Sequence, residues 1–466
     1  MLERFSRLNE RISNNPINKV VVILLRIIVG GTFIFSGFVK CVDPIGSVYK
    51  FHDYLAALGL HNLIGSEVVL SFAIPVLELV LGVMILTGCL RYGSLFAAMG
   101  FMGVFLPLTY FLAKTNAVPD CGCFGDAVKL TNWQTFWKNV VLTIAILYLL
   151  FHNKSVPCLY GPAIQWGVML LTFILGLSIA YMSYSTQPLL DFRPFKVGTK
   201  IGSTLSPLGE NDFLYIYEKD GVQHEFCYDS IPDEDDGWEF VDRKKLTPDL
   251  SPAQKAELAS FSIYDEGSDV TEEVIDTTSN QMLVLMPDFQ RVNKSYAFVL
   301  NDLAKACSER DAQLCVITPA LHEEVEQWKD LTSPEYPIYS GDDSEIKMLA
   351  RGNPAIVYVE HGIISWKRTL SSLKTEKLLE ENMPLAHLSD DFSPKKTLWQ
   401  LLSPYFLLMI VLLCINRIYP VVKFIVNKVK GVNKKSNDAE NIEEQENLEE
   451  QEEQENLKEE ETLDNN

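Results

Sequence analysis

Two thiols one glycine apart stand in the stretch Asp120-Cys-Gly-Cys-Phe-Gly-Asp126, between two apolar runs. A disulfide needs Cα atoms roughly 4.4–6.8 Å apart and a defined torsion about the sulfurs, so cysteines at i and i+2 close only a small, tight ring. Gly122 gives the backbone freedom to turn there. Strained, accessible disulfides are the oxidising, exchangeable ones, and so short a loop removes little entropy from the unfolded chain. Cys121 and Cys123 are therefore candidates for thiol–disulfide exchange rather than for a staple. Pro119 and Gly125 bound the loop. Asp120 and Asp126 oppose thiolate formation, so a base must compensate; Lys40, Lys114 and Lys129 are the candidates. Cys41 is either a third thiol at the same membrane face or a packed residue at a helix end. A purely structural pair is one alternative. Metal capture is the other, since thiolates select Cu(I) or zinc and His52 and His61 are expected on the same side. A zinc site wants four ligands, however, and no second cysteine pair at metal spacing is present, so no metal ligand is assigned.

The loop needs a scaffold, and the chain offers a membrane. Residues 20–184 and 397–419 are very apolar, while 190–396 reads as a soluble domain. Six runs approach the roughly 20 residues that a span requires: about 20–39, 67–88, 93–113, 134–152, 163–184 and 398–416. The fourth is the weakest because Lys138 lies near its start; Trp133 and Trp137 read there as interfacial anchors. The first run follows Arg4, Arg7, Arg11 and Lys19 and lacks a clear cleavage site, which predicts an uncleaved signal-anchor. Residues 48–60 read as a helix lying on the membrane surface. The bases at both ends of the chain, together with Arg91, Lys154 and Arg417, place both termini in the cytoplasm and the Cys-Gly-Cys loop and the 190–396 region outside. The expected location is the inner (plasma) membrane, with the lipid bilayer as one partner.

Inside the membrane two charges stand out. Arg26 lies about 9 Å above the inner end of the first span and Glu78 about 15 Å above that of the second, from the helical rise per residue. Intramembrane charges usually pair, so Arg26 and Glu78 are expected as an ion pair locking the helices, or as a polar lining for a quinone head group or a proton route. Pro75 should kink the second span, and Gly30, Gly31 and Gly37 suggest close helix contact.

The outer region opens on a hairpin over 213–228 with its turn at Asp220-Gly221. From about 281, strand and helix alternate and end in a strand pair turned at His361-Gly362, which predicts a mixed α/β sheet. This ending resembles the second half of a thioredoxin-like fold, in which a cis proline opens the strand before the last hairpin; Pro354 matches that proline. The family's Cys-x-x-Cys would fall at Pro287-Asp-Phe-Gln-Arg-Val-Asn-Lys294, which holds no cysteine. Cys307 and Cys315 read as buried small hydrophobes. The formal net charge is −21, of which the tail from Ser436 onward, with fourteen acids and one lysine, carries most; that composition cannot fold alone. No soluble part is basic enough to argue for nucleic acid.

Residues 26–40, Pro75-Val-Leu-Glu-Leu-Val-Leu-Gly82 and Asp120-Cys-Gly-Cys-Phe-Gly125 together resemble the DoxX / MauE group of four-helix membrane proteins, over about residues 18–155. The cysteine motif points to the MauE-like branch. The resemblance implies a redox-associated membrane protein that forms or passes disulfides to exported proteins, with a thioredoxin-like partner and, through DoxX relatives, a quinone acceptor. Nothing in these residues reads an amine.

The expected architecture is an α-helical transmembrane bundle, a DoxX/MauE-like four-helix unit plus two further spans, carrying an extracytoplasmic α/β thioredoxin-like domain without Cys-x-x-Cys. Its parts are a cytoplasmic segment 1–19, the four-span domain 20–155, a fifth span 163–184, a β-rich region 190–280, the thioredoxin-like domain 281–380, a sixth span 398–416 and a basic then acidic tail 417–466. The expected activity is disulfide formation or relay for an exported thiol-containing client or a thioredoxin-like protein. The alternatives are a non-enzymatic envelope scaffold and a soft-metal-binding membrane protein.

Overall fold

The Asn15 side chain accepts from the Ile17 N–H (3.0 Å) and Pro16 fills the first turn, where a missing N–H costs nothing, so the chain enters a helix at once. The computed structural model describes residues 15–118, 120–201, 213–219, 222–227, 238–245, 261–275, 278–374, 376, 383–418 and 426. Arg4, Arg7, Arg11, Pro119, the Asp220-Gly221 turn, Lys423, Lys428, Lys430, Lys434, Lys435 and the acidic tail lie outside the described residues.

Helix α1 (Pro16–Val42) is followed by α2 (Pro44–Ala57), α3 (Glu67–Thr87), α4 (Arg91–Thr115), α5 (Asn132–His152) and α6 (Pro162–Ser185). Counting the helix Pro394–Ile418, six helices among the described residues are long and apolar enough to cross a membrane. Their outward residues, such as Ile27, Val104, Ile144 and Leu170, are exposed apolar side chains that suit lipid rather than water. Trp133 and Trp137 are exposed at the start of α5.

Helices α1 and α3 run against one another along their length because glycines remove the Cβ atoms between them. A Cβ on Gly37 would sit 2.5 Å from the Leu79 amide nitrogen and 2.7 Å from the Pro75 carbonyl oxygen. One on Gly30 would meet the Gly82 carbonyl oxygen at 2.9 Å. Gly31 differs from expectation: it has open space beside it, since one helical position turns it away from α3. The last span leans on α6 through Thr172–Tyr405 (3.2 Å) and leaves most of its apolar surface outward.

Between the fifth and sixth long apolar helices, the described residues form two sheets. Strands β1 (Phe213–Lys219), β2 (Val222–Cys227) and β3 (Glu239–Lys245) form one, antiparallel in the order β2-β1-β3. The second contains β4 (Ile263–Asp265), β5 (Ser268–Asp269), β6 (Asn280–Leu285), β7 (Ala312–Thr318), β8 (Ile338–Gly341), β9 (Ala355–Glu360) and β10 (Ile363–Thr369), in the order β10-β9-β6-β7-β8-β4-β5. Strands β6, β7 and β8 are parallel, and β9 runs antiparallel to β6. Helices α7 (Tyr296–Ser308), α8 (His322–Thr332) and α9 (Asp343–Leu349) connect them. Both faces are covered: Met282 and Val284 of β6 pack in one core, Leu283 and Leu285 in the other. A strand buried on both sides reads as an unbroken apolar run, as Met282-Leu-Val-Leu-Met286 does. The β4–β5 hairpin, which lies before residue 281, belongs to this sheet through β8. The Asn353–Pro354 peptide is cis. Cys307 and Cys315 are buried free thiols on opposite faces of the sheet.

Candidate thiol site at the membrane face

The Cys-Gly-Cys loop is built as two tight turns. Gly122 and Gly125 both take left-handed backbone conformations (φ +56° and +53°), and the Gly125 N–H donates to the Gly122 carbonyl (3.0 Å). Asp120 accepts from the Gly122 N–H (2.9 Å) and pairs with Lys50 of α2 (3.1 Å). The geometry brings Cys121 Sγ to 3.5 Å from Cys123 Sγ, both as free thiols. Cys121 is only 5% exposed, packed with Tyr54, Leu112 and Val118; the Tyr54 hydroxyl donates to its carbonyl oxygen. Cys123 is half-buried.

Below the loop lies a buried polar cluster. The Ser36 hydroxyl sits 2.7 Å from the Cys123 carbonyl oxygen and 3.1 Å from Glu78 Oε2, so its single proton serves one or the other. Lys40 Nζ donates to the same Glu78 oxygen (2.8 Å). The expected pairing of Arg26 with Glu78 is therefore corrected: Glu78 pairs with Lys40. Arg26 instead donates to the carbonyls of Asn153 (3.0 Å), Val156 (3.3 Å) and Pro157 (3.4 Å) at the other end of the bundle. The reason is register. Lys40 is fourteen residues beyond Arg26 along α1, about 21 Å by helical rise, and only Lys40 reaches the level of Glu78.

A crevice opens beside this cluster, with about 330 Å³ of space between atoms, part of it open to the surroundings. Cys123, Ser36, Glu78 and Lys138 line it with the rings of Phe101 and Phe105. Lys138 lies over the Phe124 ring, 4.4 Å from its centroid. The thiol of Cys121 hydrogen-bonds the Cys123 sulfur and draws the Cys123 thiol below the usual range; the Lys138 and Lys40 ammonium groups add to this, while burial and Glu78 oppose it. The same hydrogen bond and burial push the Cys121 thiol up. The two shifts run in opposite directions, which favours the proton on Cys121 over Cys123.

Lys40 is the one predicted base at the cluster; Lys114 and Lys129 are exposed. Lys50, which pairs with Asp120, and Lys138, which the sequence places near the start of the fourth run, are the further cations brought in. Cys41 is fully buried with Val42, Val76 and Val80, in a different apolar cluster from the pair. His52 is bonded to Glu67 (3.0 Å), and among the described residues no three metal-ligating side chains converge.

One functional contact had no signal in the sequence. Arg351, just before the cis proline turn, reaches down from the sheet domain. Its guanidinium straddles the Asp43 carboxylate (Nε at 3.0 and 3.1 Å, Nη2 at 2.8 Å) and holds Asp126 of the cysteine loop (2.8 Å). The Asp43 carboxyl is held low by Arg351, against its burial. Behind it, Asn353 donates to the Asp288 carbonyl (2.6 Å) and accepts from the Asp288 N–H (3.3 Å). The turn thus closes over the segment that begins at Pro287. Pro354 follows directly.

Among known families, residues 18–152 match the model described as "Methylamine utilisation protein MauE". Residues 212–247, which contain β1–β3, match a domain of unknown function (DUF8463). Comparison with curated proteins gives no match.

Proposed function

Since residues 18–152 form a membrane domain of the MauE family, we propose that it is a thiol–disulfide oxidoreductase unit, with Cys121 and Cys123 cycling between dithiol and disulfide. The observation that carries this is the pair itself: two free sulfurs 3.5 Å apart, one half-buried and one enclosed, beside two ammonium groups. The loop faces the outside of the inner membrane, and both chain termini are cytoplasmic. An exported client thiolate attacks Cys123 of the oxidised pair, and Cys121 leaves as the thiolate. The second client thiol then displaces Cys123, so the client gains a disulfide and the pair holds two electrons and two protons.

A quinone head group is the acceptor class that fits the crevice. The Phe101 and Phe105 rings supply flat apolar contact, and Lys138, Ser36 and Glu78 supply polar groups at the Cys123 end. When bound, a quinone supplies a sink for two electrons and two protons. The protein's own part is to favour Cys123 as the thiolate and to place Glu78 and Ser36 along the same crevice. The sheet domain is a thioredoxin-like module without its redox pair; Arg351 ties it to the cysteine loop, so it positions rather than shuttles.

The test follows from unequal burial. In membranes, Cys121→Ala leaves the half-buried, crevice-lining Cys123 without its resolving partner and should accumulate mixed disulfides with exported proteins. Cys123→Ala should not. Equal trapping by both, or a Cys121→Ala/Cys123→Ala chain that supports client oxidation as well as the unaltered protein, refutes the assignment and leaves the scaffold reading.

A further inference from the structure

At the end of the bundle away from the sheet domain, α4 begins at Arg91 behind Leu90, which offers no side-chain cap; Gln165 Oε1 accepts from the Leu90 N–H itself (2.9 Å), and the next N–H groups have no such cap. The unpaired N–H groups there carry the positive end of a 25-residue helix dipole. Two guanidinium groups border the crevice at this point, Arg26 and Arg91. Neither has a carboxylate partner among the described residues. Arg26 is held by three main-chain carbonyls, and Arg91 Nε donates to Cys158 Sγ (2.9 Å), leaving its terminal nitrogens free. Gly88 makes room for this: its φ is +72°, and a Cβ on it would lie 2.6 Å from Arg26 Nη1.

Asn153 supplies the independent observation. It is 2% exposed, it lines the same crevice, and neither Nδ2 nor Oδ1 has a hydrogen-bond partner. A buried amide left unpaired is a standing cost. Its main-chain carbonyl is the one that Arg26 Nη2 holds, so the side chain is fixed beside the two cations. The space between these atoms is about 220 Å³, part of it open to the surroundings.

We infer that this crevice binds a phosphate-type oxyanion. Two like charges repel across it, an uncapped helix end adds to the positive potential, and an amide donor waits unpaired; an anion with several acceptor oxygens satisfies all three at once. A cation is repelled there, and a neutral ligand relieves no repulsion. The oxyanion is either free phosphate or the phosphodiester of an anionic lipid, since the crevice lies at one end of helices long and apolar enough to cross a membrane. This site is separate from the thiol pair and does not rest on its assignment.

The experiment uses the full chain. Thermal unfolding is followed in neutral detergent while inorganic phosphate replaces chloride at constant ionic strength. It is followed again in phosphatidylcholine vesicles with and without phosphatidylglycerol. Saturable stabilisation by phosphate assigns the free anion; stabilisation by phosphatidylglycerol alone assigns the lipid. Asn153→Asp and Arg91→Gln should weaken either effect about tenfold or more, the loss expected for a charge-assisted hydrogen bond. Asn153→Leu breaks no bond within the protein, so it should fold at least as well as the unaltered chain without ligand and gain less from it. No saturable stabilisation with either probe, or equal stabilisation of the unaltered chain and these variants, overturns the inference.

Discussion

Arg351→Gln is the substitution that separates docking from folding. The guanidinium it removes pairs with both Asp43 and Asp126, whose side chains are 14% and 31% exposed. Breaking a buried ion pair from one side costs ~3–5 kcal/mol because a desolvated charge is left behind. Here the Asp43 carboxylate keeps the Gly46 N–H (2.9 Å) and Asp126 is partly hydrated. The docking loss should therefore fall to about 2–3 kcal/mol, equivalent to about 30- to 160-fold in the population of undocked loop. Cys121 reports that population, because its enclosed sulfur reacts only when the loop opens. In a Cys123→Ala background, the rate of maleimide labelling at Cys121 should rise by that factor when Arg351→Gln is added. Labelling at an unchanged rate, with the tryptophan emission of the sheet domain intact, would refute the idea that Arg351 holds the loop. The same contact has an acid limit. Arg351 depresses the Asp43 carboxyl, so its contribution is full above the unfolded value near 3.9 and is lost as pH falls through the lower folded value. Protection of Cys121 should hold from neutral pH to about 4 and fail below it.

Three further outcomes are expected. Glu78→Gln leaves the Lys40 ammonium buried without its counter-charge and should cost ~3–5 kcal/mol; thermal unfolding of the Lys40→Met/Glu78→Gln pair should recover part of the loss, and no recovery would mean that the two do not act together. Gly37→Ala forces a Cβ to 2.5 Å from a backbone nitrogen of α3 and should lower stability by about 1–3 kcal/mol, whereas Gly31→Ala, with open space beside it, should leave unfolding unchanged. Cys123 is held below the usual thiol range chiefly by the Cys121 thiol and then by Lys138, so its iodoacetamide rate should plateau at a lower pH than an ordinary cysteine's. Cys121→Ala and Lys138→Gln should each move that plateau upward, and profiles that coincide would remove the thiolate assignment.

The spans, the mixed sheet and the exchangeable look of Cys121-Gly-Cys123 were legible in the residues because each rests on short-range regularity. Twenty apolar residues must be a span whatever their neighbours, strands alternate with helices on local periodicity, and two thiols at i and i+2 meet through one glycine. The same locality explains the miss at Glu78. Charge inside a membrane implies a partner, and Arg26 was the most central base, but register along α1 selects Lys40, which sequence reading had assigned to the loop instead. Asp43, Asp126 and Arg351 are 308 and 225 positions apart in the two contacts that join them, and no periodicity links residues so distant. The order of residues determined that this chain has a membrane part, a sheet part and two thiols that must lie close together. Only the tertiary fold decided which cation serves which acid, which sulfur is enclosed, and that the sheet domain grips the cysteine loop, because those are matters of distance between elements rather than of order along the chain.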